Sequence, residues 1–200
     1  ARITSEARTR TALSRLNLER KKNLLEFLSK SDLVSLFKLD HLNFNEMELF
    51  AVNLAGASFV DTSFQKAGFF WVNMERTDFR GADFKGAFLP LCIFKAAKLT
   101  DTNFEGARFT VPFPTAPEGA NLFMADLKNA NLKYALLDKV SMQKANLSEA
   151  DLSYASLKHA NLLGADFSYA NLHGTIINNT TLMDTKVRLH WEIINKGAKE

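Results

Sequence analysis

The 200-residue chain has one cysteine, four prolines and nine glycines. The single thiol, Cys92, excludes an internal disulfide and a cysteine-rich zinc site, and its expected role is that of a small buried apolar residue. So little proline and glycine excludes collagen-like and low-complexity chains. No apolar run is long enough to cross a membrane as a helix, and the first residues carry no secretory signal pattern. The chain opens on Ala1 rather than Met, which leaves room for an upstream segment.

Chemistry-bearing motifs are missing as well. There is no phosphate loop, no GxSxG, no HExxH and no CxxC. The four histidines, His41, His159, His173 and His190, each stand without a second ligand at a motif spacing. No catalytic, cofactor or metal site is therefore expected. Charge is unevenly spread. Residues 1–38 hold nine Lys/Arg against four Asp/Glu, a balance of +5, and residues 39–200 hold sixteen against eighteen, a balance of −2. The sequence pI of about 9.0 comes from the N-terminal segment.

What is abundant is a spacing. "ANLSEADLSYASLKHANLLGADFSYANL", from Ala145 to Leu172, reads in fives. Large apolar residues fall every fifth position from Leu39 through Phe109, and again from Leu122 through Leu182 to Val187, twenty-nine in all. Two positions earlier the residue is small: between Ala120 and Ala170 it is Ala in ten of eleven units, with Val140 the exception. One position earlier it is often Asn or Asp, as at Asn121, Asp126, Asn146 and Asp166.

Five matches neither the helix period of 3.6 nor the strand period of 2. A short unit repeated this often means a solenoid. The large residue and the small one two before it point inward, as strand alternation requires. The Asn or Asp between them faces out and bonds local backbone at a turn. On this pattern Leu152 lies inside and Ser153 outside. Four units close a square coil of twenty residues, and twenty-nine units make about seven coils, a rod about 35 Å long. Columns twenty apart, such as Asp126–Asn146–Asp166 and Asn131–Asp151–Asn171, set Asn between carboxylates. That spacing keeps like charges apart and makes no catalytic dyad.

These AxLxx units, with Asn or Asp after the Ala, resemble the pentapeptide-repeat family over about residues 39–188. The resemblance implies an all-β solenoid, a right-handed parallel quadrilateral β-helix. Residues 1–38 and 189–200 do not follow fives and read as helical covers for the open ends. In the first, "LNLERKKNLLEFLSK" is an amphipathic helix with Asn17 as N-cap and Leu24, Phe27 and Leu28 on one face. The stretch Arg20–Leu28 is also similar to an "RKxxLLxFL" helix that follows a membrane-anchoring region in some family members. That likeness implies a membrane association through an upstream segment, with Arg20, Lys21 and Lys22 near anionic lipid.

The register breaks once. Phe109 and Leu122 are thirteen apart, and the loop at 110–120 holds Pro112, Phe113, Pro114 and Pro117. Proline cannot donate to a ladder, so this segment is expected to bulge from the wall as a candidate binding loop. The other outward feature is apolar. Phe50, Phe70 and Pro90 share one column and Ala51, Trp71 and Leu91 the next, with Phe88 and Ile93 close by. Phe50, Phe70, Trp71, Phe88, Pro90 and Leu91 form a candidate partner surface, unless the N-terminal helices or the loop cover it.

The expected function is a non-catalytic structural or protein-interaction module, a monomer or weak dimer, whose partner is another protein. The domain is expected to be soluble, either cytoplasmic or membrane-tethered. The alternative implied by the resemblance is a DNA-mimicking protein that binds type II topoisomerases. A near-neutral solenoid disfavours it, because a groove built for phosphates needs a strongly negative rod. Nucleic-acid binding by the basic helix is disfavoured too, since its positive stretch is short and lacks interleaved aromatics.

Overall fold

The computed structural model describes residues 11–111 and 118–196. The chain winds into a β-helix whose turns stack in parallel. Bridges join residues twenty apart, from Lys38↔Ser58 through Ser156↔Ile176. Across the proline-rich insertion the offset becomes twenty-eight, as in Ile93↔Asn121 and Arg108↔Leu136, and the twenty-residue offset then resumes. The loop residues Pro112, Phe113, Pro114 and Pro117 lie outside the described residues.

The unit of five explains the local geometry. At Leu54–Ala57, Ala57 N–H donates to Leu54 C=O (3.2 Å), and Gly56 between them has φ of +71°. A left-handed third residue is what a type II turn requires. Most such corners carry a non-glycine residue, for example Asp61, Asp101 and Trp71. The Asn or Asp before each inward residue then accepts a backbone N–H two positions on, as Asn53 does from Ala55 (3.1 Å) and Asn131 from Lys133 (3.1 Å). Turns follow one another so closely that the ladder consists mostly of single bridges. Named strands form only at β1 (Glu48–Phe50) and β2 (Gly68–Phe70) among the described residues.

The inward positions make one continuous core. In the first coils it is a phenylalanine stack, with Phe44–Phe64, Phe64–Phe84 and Phe84–Phe104 near parallel at 5.3, 4.8 and 5.1 Å. From Leu122 on, leucine dominates. Where the small wall residue is Thr rather than Ala, its hydroxyl clamps two coils: Thr62, Thr77, Thr102 and Thr175 each donate to a buried carbonyl twenty-three residues earlier, at 2.9–3.0 Å. Cys92 occupies the same position, 3.3 Å from Phe69 C=O. Burial raises its pKa to about 12, so almost no thiolate exists at neutral pH. We expect a thiol reagent to label Cys92 only as fast as the chain opens, and labelling of the native protein at the rate of a free thiol would contradict this packing.

Several expectations need correction. Ser153, expected outside, is buried at 4% exposure, with its N–H donating to the Asp151 carboxylate (3.0 Å), which also pairs with Lys133 from the coil below (3.2 Å). Leu182, expected inside, is 50% exposed. The turn at residues 178–180 carries one extra residue, so Asn161 pairs with Leu182 at an offset of twenty-one. Thr181 takes the wall position, donating its hydroxyl to Leu157 C=O (2.9 Å), and Met183 packs against the core in place of Leu182. Val187 belongs to helix α2 (Thr185–Lys196), which therefore starts before the expected residue 189.

At the other end, α1 (Leu18–Lys30) begins on Asn17, whose side chain accepts from Arg20 N–H at 2.9 Å. Its buried face is Lys21, Leu25 and Leu28, and Phe27 is 60% exposed. Lys21 is drawn in because its Nζ donates to Asn43 C=O at 2.7 Å and lies 5.6 Å from the Phe44 ring, above the first coil. Burial lowers its pKa. The basic cluster of α1 thus offers Arg20 and Lys22 to its surroundings, with Lys21 turned to the core.

Candidate functional site: an aromatic face beside the first helix

The side of the coil that carries β1 and β2 is where outward polar residues give way to aromatic ones. The strands pair in register Glu48↔Gly68, Leu49↔Phe69 and Phe50↔Phe70. Leu49 and Phe69 point into the core, and the next residues turn out at the corner. Phe50 and Phe70 stack across the coils at 5.8 Å, 10° from parallel. Trp71, held at φ of +57°, meets both edge-on, at 5.5 Å from Phe50 and 5.1 Å from Phe70. Phe50 is 64% exposed and Trp71 54%, with Phe70 half-buried between them.

The open patch is smaller than the sequence predicts. Pro90 is buried, and Leu91 and Phe88 are half-buried, with the Arg108 guanidinium 5.8 Å over the Phe88 ring. Of the six expected surface residues, three rings remain together and two of them are open. N-terminal helix α1 does not cover them. It flanks them instead: Asn53 N–H donates to Ser29 Oγ (2.9 Å), and Glu26, Ser29 and Lys30 line a cleft of about 180 Å³ with Phe50, Ala51 and Val52. These helix residues carry no motif, because their place beside Phe50 depends on how α1 lies across the coil.

On the remaining faces the polar side chains pair with one another, among scattered exposed apolar residues such as Met124, Leu136 and Leu163. Partial burial of Asp78 opposes its ionisation, but hydrogen bonds from Arg80 and the charges of Arg80 and Lys98 bring its pKa below the usual value. Asp151 is lowered likewise against partial burial, through Ser153 and Lys133. His159 is held by Asn178 and Thr180, the latter at 2.7 Å. Tyr134 stacks on Tyr154 at 5.4 Å and Tyr154 meets His173 edge-on, as a side-chain ladder does. Among the described residues no group of three or more His, Cys, Asp or Glu could hold a metal ion, and no helix is long and apolar enough to cross a membrane.

No curated protein matches the chain. Solved structures that it resembles include a pentapeptide repeat protein of the Arabidopsis thaliana thylakoid lumen, 17% identical, covering 78% of this chain and 75% of that one, with a TM-score of 0.38. Trypsin-treated QnrB1, a plasmid-mediated fluoroquinolone resistance protein, is 16% identical over 78% of this chain and 87% of its own, with a TM-score of 0.32. HetL of Nostoc sp. strain PCC 7120, involved in heterocyst differentiation regulation, is 22% identical over 72% of this chain and 93% of its own, at 0.24. The family model described as pentapeptide repeats matches eight copies, over residues 73–110, 120–153 and 145–183. With just over half of its length matched and a ladder that steps by twenty residues, the chain belongs to the pentapeptide repeat family.

Proposed function

We propose that this chain is a non-catalytic protein-interaction module, a rigid rod of about seven coils that presents the Phe50–Phe70–Trp71 cluster to another protein. In this reading α1 and α2 serve as covers for the two ends. The observation that supports the interaction is the cluster itself: three aromatic rings in mutual contact on one side of the solenoid, two of them more than half exposed, where the other exposed apolar residues, such as Met124, Leu136 and Leu163, are not aromatic clusters of this kind. Exposed apolar patches mark interfaces, and Trp anchors are over-represented among residues that dominate binding. The alternative of a DNA mimic has less support, because outward carboxylates such as Asp78 and Asp151 are neutralised by Arg80, Lys98 and Lys133. Association with anionic lipid through α1 would rest on Arg20 and Lys22 together with an upstream segment.

The test is a Phe70→Asp/Trp71→Asp variant. Both turn positions already hold Asp elsewhere: Asp40 and Asp138 match Phe70, and Asp61 and Asp101 match Trp71 in the left-handed corner. Asp tolerates that conformation, so the variant should melt with the wild type. A pull-down from native lysate, read by mass spectrometry, should capture a protein with the wild type that the variant loses. Titration of that purified partner should then show affinity weakened by roughly 30-fold or more. A folded variant with identical captures would overturn the reading.

A further inference from the structure

The last coil is closed on two sides, partly covered on another and open on the fourth. On one side the following chain completes the ladder: Leu162 N–H donates to Leu182 C=O (2.7 Å), Leu182 N–H to Ala160 C=O (2.9 Å) and Gly164 N–H to the Asp184 carboxylate (3.1 Å). On another, α2 covers part of the edge with side chains: Trp191 Nε1 donates to Thr175 C=O (2.8 Å), and Asn195 accepts from Gly174 N–H (2.8 Å) and donates to Leu172 C=O (3.1 Å), while Leu172 N–H and Ala170 C=O have no backbone partner among the described residues. On a third, Leu157 N–H donates to Ile176 C=O (2.8 Å) and Ile176 N–H to Ala155 C=O (2.9 Å).

Residues 165–169 are the fourth side. One coil earlier, Leu147 N–H donates to Asp166 C=O (2.7 Å), Glu149 N–H to Ser168 C=O (2.8 Å), and Ala145 C=O accepts from Asp166 N–H (2.9 Å). The equivalent groups at the end are Phe167 N–H, Tyr169 N–H and Ala165 C=O. None of the three has a backbone partner among the described residues, because the chain leaves the ladder to enter α2. Over this edge lies a cleft of about 390 Å³. Phe167 forms its floor, and Tyr169, 91% exposed, stands on the rim. Two carboxylates, Asp166 and Asp184, and one ammonium, Lys186, line it beside His190.

We propose that this edge is a strand-addition site, which takes an extended peptide segment of another protein with a basic residue opposite Asp166. The main chain of the segment pairs with Ala165, Phe167 and Tyr169 in the parallel register of the coils below. Main-chain pairing supplies affinity in such modes, and side chains supply specificity. The basic residue follows from charge and from precedent within the rod. The cleft carries two carboxylates against one ammonium. In the coils below, a carboxylate in this type of position receives a donor from a neighbouring coil, as Asp126 does from Asn146 Nδ2 (2.9 Å) and Asp151 from Lys133 Nζ (3.2 Å). Asp166 accepts from the amide and hydroxyl of Ser168 on its own turn and feels the charge of Lys186, but among the described residues no neighbouring coil donates a hydrogen bond to it, and a basic residue of the segment completes the column.

The probe is a fluorescein-labelled peptide copying residues 141–150 with Asn146→Lys, since this segment already pairs with residues 165–169 from below. With the full chain, anisotropy should saturate. Methylating the backbone nitrogen of the introduced lysine, which faces Ala165 C=O, should weaken binding roughly tenfold or more. Asp166→Asn in the protein should weaken the lysine peptide roughly tenfold and leave the unsubstituted peptide unchanged. Hydrogen exchange supplies a separate readout: Phe167 and Tyr169 amides should exchange freely in the free protein and become protected by the peptide. The proposal falls if no saturable binding occurs, if binding ignores both changes, or if those two amides are already protected in a monomer. Self-association in sedimentation that protects the same amides would make the occupant a second copy and overturn it equally.

Discussion

Leu162→Asp should unfold the C-terminal coils, whereas Leu163→Asp, one residue on, should be nearly silent. Leu162 is fully buried among the inward leucines, and its neighbour is 41% exposed at the turn. An aspartate at 162 would carry a charge into a space lined mainly by apolar side chains, Leu157, Phe167 and Leu172 among them, where the hydroxyl of Thr175 is already committed to Leu152 C=O. It would lose the transfer energy of the leucine and leave its carboxyl without a partner, a cost of at least about 4 kcal/mol. At 163 the same carboxylate stays in water. Asp is also at home beside a turn, so the change should lie within about 0.5 kcal/mol. Thermal melts of the two variants check this. Matching melting temperatures would overturn the assignment of inward and outward positions, because composition, charge and sequence neighbourhood are otherwise shared.

That assignment is the part of the structure most legible in the sequence, and the reason is physical. Each inward residue must fill the same square cross-section, so a period of five persists wherever the coil persists. Departures occur where another interaction competes with the count. At the turn 178–180 both Thr180 and Thr181 could serve as the wall residue, and both Leu182 and Met183 as the filler. The hydroxyl of Thr181 decides between them by reaching Leu157 C=O, a contact that spacing does not encode. Its charge groups Lys21 with Arg20 and Lys22 in the sequence, but its long apolar stem can lie on the core while its ammonium finds Asn43 C=O. The aromatic cluster was legible because Phe50, Phe70 and Trp71 break the outward polarity. Its true extent was not, since burial of Pro90 and the seating of α1 beside Phe50 depend on contacts between distant segments. The open edge at 165–169 left no trace in the sequence at all. It exists because α2 starts at Thr185, at the point where the chain would otherwise have laid down another side.

The second large effect concerns that helix. Removing residues 185–200 should cost several kcal/mol and should loosen the rod from its C-terminal end rather than uniformly. Val187, Trp191 and Ile194 pack against the core, and without them Leu157, Leu162, Phe167 and Leu172 lose their cover. Each large apolar side chain returned to water costs about 1.5–3 kcal/mol. Three backbone groups, Thr175 C=O, Gly174 N–H and Leu172 C=O, also lose their side-chain partners. A solenoid passes stability only between neighbouring coils, so the loss should appear as a gradient. In native-state hydrogen exchange, amides of residues 152–176 should lose protection first, while those near the phenylalanine stack at Phe64–Phe104 keep theirs. Asn195→Leu isolates the polar part of the effect. It keeps the bulk of the side chain but strands Gly174 N–H, and should cost about 2 kcal/mol. If the truncated chain melted with the wild type and showed no gradient, α2 would not be a cover for the coil. The edge at 165–169 would then be one open side among several, and the selectivity argued for its strand-addition site would lose its structural basis.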